Sequence, residues 1–102
     1  MKNYASNRLY LAYNRYVSQS VVKINDDGMV LSYSSLMEET AFTEWIGGVI
    51  FLSDKDSFTL PANFKELSSH ITDVGNQTYA WHISHFDFQH EELTPISIIR
   101  RL

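Results

Sequence analysis

Residues 21–33 read Val-Val-Lys-Ile, then Asn-Asp-Asp-Gly, then Met-Val-Leu-Ser-Tyr, and no other stretch restricts the fold as tightly. The flanks are β-branched or apolar and the four residues between them are strong turn formers, the pattern of a β-hairpin. Asn and Asp bond their own backbone in turns, while Gly28 can take φ > 0 without a Cβ clash. A connection of this length fits a type I turn closed by a glycine bulge. Alternation then places Val22 and Ile24 on one face, with Met29, Leu31 and Tyr33 alternating along the partner strand.

The same periodicity organises much of the chain. Leu9, Leu11 and Tyr13 share a parity, predicting an opening strand over residues 8–13. A turn at Asn14-Arg15 leads to a second strand from Tyr16 or Val17 to Ile24, so that the first three strands form a meander. Residues 34–40 lack alternation and read as a loop or short turn, and residues 41–45 alternate only weakly. Gly47-Gly48 interrupts the chain before Val49-Ile50-Phe51-Leu52, a run too short for a helix and typical of a strand buried on both faces, here the central strand.

Residues 53–57 form a polar turn, and Pro61 holds the segment before it extended. Phe64, Leu67 and Ile71 stand at i, i+3 and i+7 behind Asn63, a capping residue type, which predicts the one short helix of the chain. Tyr79, Trp81 and Ile83 alternate until the parity changes at Phe86 and Phe88, as a bulge near Ser84 or His85 within a strand over residues 78–88 would produce. The segment 95–102, with Ile96 and Ile98 on one face, closes the sheet against that strand. The expectation is a single mainly β domain spanning residues 1–102, a small bent β-sandwich or pseudo-barrel with one short helix near residues 63–71.

At 102 residues such a domain buries about 60–65% of its unfolded surface. Hydrophobic residues make up 44% and charged residues only 20%, which leaves apolar and aromatic area for a partner, a protein of another kind or a second copy of the chain. With no cysteine, a disulfide scaffold, a Cys-zinc site and a thiol nucleophile are excluded, and a reducing, cytoplasmic setting fits. The net charge of −4 and eight Lys and Arg, with no basic cluster larger than Arg100-Arg101, argue against nucleic acid. No apolar run approaches a membrane span and the opening residues lack a signal-peptide core. Asn76-Gln77-Thr78 has the form of a glycosylation acceptor but reads as a loop entering a strand.

Three of the four histidines, His82, His85 and His90, lie close to Asp87, Glu91 and Glu92. On a regular strand His85 and Asp87 share a face, and a bulge could bring His85, Asp87 and His90 together around a metal ion. The commoner arrangement is a solvated sheet edge whose imidazoles bond neighbouring carboxylates. No nucleophile elbow is present, the pairs Glu38-Glu39 and Glu91-Glu92 point apart, and Gly47-Gly48 lacks the lysine and helix of a phosphate cradle. No cofactor is implied. Trp45 and Trp81 could line an aromatic cleft for a small ligand, although in an acidic chain most of the aromatic residues read better as core and interface.

The hairpin SVVKINDDGMVLSYSSL and the later WIGGVIFLS resemble the small β-sandwich segment that flanks the TIM barrel of metal-dependent amidohydrolases. The likeness covers residues 5–52. In that family the glycine-led apolar strand runs into an H-x-H motif that supplies metal ligands, whereas here Leu52 is followed by SDKDSFTLPANFKE with no histidine before His70. The resemblance therefore implies an accessory β-domain standing without the barrel, and no catalytic residue carries over. Three functions follow as expectations: a non-catalytic interaction or scaffolding module, self-associating; a metal-binding protein or metal-dependent hydrolase using His85, Asp87 and His90; and a small-ligand binder using Trp45 and Trp81.

Overall fold

The computed structural model describes residues 1–35, 42–58, 61 and 63–102. Along the chain these form β1 (Lys2–Ala12), β2 (Arg15–Ile24), β3 (Val30–Ser35), β4 (Thr43–Trp45), β5 (Val49–Ser53), α1 (Phe64–Ser68), β6 (Tyr79–Ser84) and β7 (Ile98–Arg101). The strands make one sheet of order β3-β2-β1-β5-β6-β7, with β4 also paired to β1. The expected mainly β fold with one short helix is therefore present. No helix among the described residues is long and apolar enough to cross a membrane.

The hairpin is built as its residues require. Asn25 Oδ1 accepts from the amides of Asp27 and Met29, both at 2.9 Å, and Gly28 closes the turn at φ +83°. One expectation fails within it. The register shifts between Lys23 and Ile24, so that Ile24 faces Val30 while Lys23 faces Ser32. Val30 and Tyr33 consequently share the packed face, and Leu31, lifted by the bulge, is exposed.

β1 is the spine of the molecule and starts six residues earlier than the apolar alternation suggests. Its polar opening is held by pairing with β2 from Lys2↔Ile24 onward, and the hydroxyls of Ser6 and Ser20, both buried, meet at 3.3 Å. Along its other edge β1 pairs in parallel first with β4 and then with β5. Gly47 and Gly48 make the step between them, at φ +66° and +60°. The Gly48 carbonyl accepts from the amides of both Asn7 and Arg8, and a Cβ there would lie 2.6 Å from the Ile83 carbonyl oxygen.

The sheet curls on itself. A bridge joins Met29 to Tyr79, the Val30 amide donates to the Thr78 carbonyl at 2.8 Å, and the start of β3 thereby touches the start of β6. A single bent sheet thus takes the place of two packed layers. The face it curls around carries Leu9, Leu11, Val22, Ile24, Val30, Ile50, Leu52 and Ala80. Their neighbours Tyr10, Val49, Phe51, Trp81 and Ile83 point the other way and pack with Phe64, Leu67 and Phe86. All five residues of β5 are buried, because this central strand serves both cores.

The helix is shorter than its apolar spacing suggests, ending at Ser68, with Asn63 Oδ1 capping the Glu66 amide at 2.8 Å. β6 also ends early. His85 adopts φ +53°, a left-handed turn rather than a bulge in a continuing strand, and Phe86 and Phe88 lie beyond it in a loop. The parity change at Phe86 marks that reversal. Most of residues 34–40 and part of the segment before Pro61 fall outside the described residues; Ser34 and Ser35 belong to β3.

Candidate functional site

The loop that follows β6 gathers most of the charged and imidazole-bearing side chains singled out in the sequence. Its backbone is fixed locally. Asp87 and Glu92 exchange amide-to-carbonyl bonds at 2.9 and 3.1 Å, and the His85 carbonyl accepts from the hydroxyls of Thr94 and Ser97 at 2.9 and 3.0 Å. Glu92 ties the loop to the helix, since its Oε1 accepts from the Phe64 amide at 2.6 Å and from the Leu93 amide at 2.9 Å. It thereby occupies an amide that a helix start leaves without an intrahelical partner.

Glu91, at φ +51°, directs its carboxylate to β1. Oε1 accepts from the Tyr10 hydroxyl at 3.1 Å and lies 3.3 Å from Arg8 Nη1, which itself donates to the Tyr10 oxygen at 3.1 Å. The Arg8 guanidinium is held between two rings, 4.4 Å from the centroid of Tyr16 and 5.1 Å from that of Phe88. Tyr10 has no solvent exposure. Burial pushes its phenol up to about 12; the Arg8 bond opposes this and the Glu91 carboxylate reinforces it. A phenol so held is a neutral hydrogen-bond donor that joins loop to sheet, not a base.

The expected trio of His85, Asp87 and His90 is realised as a pair. His90 Nδ1 lies 2.8 Å from Asp87 Oδ2, and Asp87 Oδ1 accepts from the amides of Gln89 and His90. These bonds hold the Asp87 carboxyl below its ordinary range, the imidazole contact contributing most. Among the described residues no group of three or more His, Cys, Asp or Glu side chains is placed to hold a metal ion. Nor does a hydroxyl hydrogen-bond to either member of the pair there, so the arrangement lacks the nucleophile that an Asp-His couple would activate.

His82 stands apart, its Nε2 3.2 Å from the Gly47 carbonyl oxygen. Burial lowers its pKa against the opposing pull of that carbonyl, with nearby Arg100 adding to the depression.

The two tryptophans occupy different surroundings. Trp81, 7% exposed, stacks on Phe51, meets Phe58 edge-on at 4.8 Å and donates from Nε1 to the Lys55 carbonyl at 3.1 Å. It is a core residue. Trp45 lies on β4, half exposed, beside Gly47.

Two features escaped sequence reasoning. One is the Arg8–Tyr10–Glu91 cluster, in which Glu91 lies about eighty residues along the chain from the other two. The other is a polar cleft of about 220 Å³ lined by Asn3, Val21, Lys23, Ser32, Tyr33 and Ser34. Its sequence signal is the pair of polar residues at alternate positions, Ser32 and Ser34, which lie opposite Lys23 and Val21. No protein-family model matches the chain, and no curated protein or solved structure matches it either.

Proposed function

We propose that this protein is a non-catalytic recognition module that associates with a second copy of itself through its open sheet edges. The observation that carries the reading is where the exposed apolar side chains lie. Of the eight exposed large apolar side chains among the described residues, four gather at two edges: Trp45, 50% exposed, on β4 with Phe42, 97% exposed, just before it, and Ile98, 62% exposed, on β7 with Ile96, 65% exposed, two residues ahead. Among the described residues β4 pairs only with β1, and β7 only with β6. Sheet edges are normally protected by charge, proline or a covering segment, and apolar groups beside unpaired backbone favour strand addition. Burying two large aromatic side chains supplies about 150–250 Å² each towards the roughly 800 Å² per partner that a stable pair requires.

The likeness of residues 5–52 to the accessory segment of amidohydrolases supports the same reading, because that segment flanks a catalytic barrel instead of holding its metal. A chain without cysteine also suits the reducing cytoplasm. Sedimentation equilibrium tests the proposal. The wild-type protein is expected to dimerise, and Trp45→Lys or Ile98→Lys, whichever edge carries the contact, to give a folded monomer. A wild-type protein that stays monomeric up to its solubility limit would sink it.

A further inference from the structure

The open edges at β4 and β7 differ in charge as well as in place. β4 is three residues long, and Glu44 at its centre makes no ion pair among the described residues. β7 reads Ile-Ile-Arg-Arg, and neither Arg100 nor Arg101 has a carboxylate partner there. Arg101 instead lies over the Tyr79 ring, 5.2 Å from its centroid, and reaches the Asp56 carbonyl at 3.5 Å. The other end strand of the sheet, β3, carries no charged residue and is already joined at its start to the entry of β6.

Pairing like with like is disfavoured at both edges. Two β4 strands centred on each other set Glu44 opposite Glu44, and two β7 strands gather four arginines along one short ladder. Like charges facing one another across strands are destabilising. Either arrangement also leaves the apolar side chains of the other edge in water, Ile96 and Ile98 in the first case and Phe42 and Trp45 in the second. Pairing β4 with β7 removes both faults. Glu44 then meets the two arginines, all four apolar side chains flank the same ladder, and main-chain bonds between the edges supply the join. We infer that the self-association proposed above, on which this rests, is head to tail, with β4 of one copy added to β7 of another. A pair joined by one such contact keeps a free β7 at one end and a free β4 at the other.

Sedimentation equilibrium of single variants and of their mixtures reads the arrangement. Trp45→Lys spoils β4 and leaves β7 intact, and Ile98→Lys does the reverse. Both side chains are at least half exposed, so circular dichroism should show each variant folded like the wild type. Each alone is expected to be monomeric. An equimolar mixture should form a one-to-one dimer and nothing larger, because the intact β4 of one variant meets the intact β7 of the other. Glu44→Arg and Arg100→Glu make a second pair, independent of the first should a lysine variant not fold. Each sets like charges across the ladder and should weaken association about tenfold, and mixing the two should recover it. Mixtures that regain nothing, or one variant of a pair that associates as the wild type does, overturn the head-to-tail pairing while self-association stands. A wild-type protein that remains monomeric overturns both and leaves the edges to a strand of another protein.

Discussion

Tyr10 has lost all contact with solvent, yet its hydroxyl keeps two charged partners, Arg8 and Glu91. Its phenol titrates near 12 in the folded protein and near 10 in an unfolded chain. Below about pH 10 both states hold the proton and stability is complete. Between about 10 and 12 the unfolded chain releases a proton that the folded one retains, so stability falls as pH rises. Tyr10→Phe is expected to flatten this alkaline decline, and at neutral pH to cost about 1 kcal/mol for the lost hydrogen bond. Thermal melts of both proteins across the alkaline range check this; parallel curves would mean that the hydroxyl is not shielded in the folded state.

At the scale of elements, the five residues of α1 are too few to be stable alone, and the short helix depends on what holds its ends and its buried face. Asn63 caps the Glu66 amide and Glu92 takes the Phe64 amide, so the post-β6 loop and the helix stabilise one another. Phe64 and Leu67 then sit against Tyr10 and Phe86, with ring centroids of Phe64 at 4.9 and 5.0 Å from theirs. Asn63→Ala is expected to cost about 1 kcal/mol, as caps generally do. Combined with Glu92→Ala, the loss should differ from the sum of the two single losses, since both act on the same first turn. A double-mutant cycle by urea denaturation measures the coupling, and strict additivity would show that the loop does not support the helix.

For the molecule as a whole, the decisive arrangement is that β1, β5 and β6 contribute alternate residues to two cores. Phe51 and Leu52, neighbours on β5, are each fully buried, one in either core. Neither core can be lost without exposing the back of the same strands. Phe51→Ala should cost about 3–5 kcal/mol and Leu52→Ala about 2–5 kcal/mol. In both variants tryptophan fluorescence, to which buried Trp81 contributes, and far-UV circular dichroism should report one coincident transition. Separated transitions would mean that the two cores unfold independently.

The sequence by itself determined the hairpin at residues 21–33, the double burial of residues 49–52, the helix start at Asn63 and the mainly β class. In each, the controlling interactions are local: turn chemistry, capping, and side-chain alternation along one strand. Only the tertiary structure decided the rest. It extended β1 through the mostly polar residues 2–7, because pairing with β2 and β4 satisfies a backbone whose side chains give no apolar alternation. It turned the chain at His85, where a left-handed residue is stabilised by hydroxyls from Thr94 and Ser97. It also brought Glu91, on the loop after β6, to Arg8, and set Asn3 beside Lys23 and Thr43 by register across strands. A linear pattern specifies which face a side chain takes; which distant residue meets it there depends on how the sheet pairs and curls.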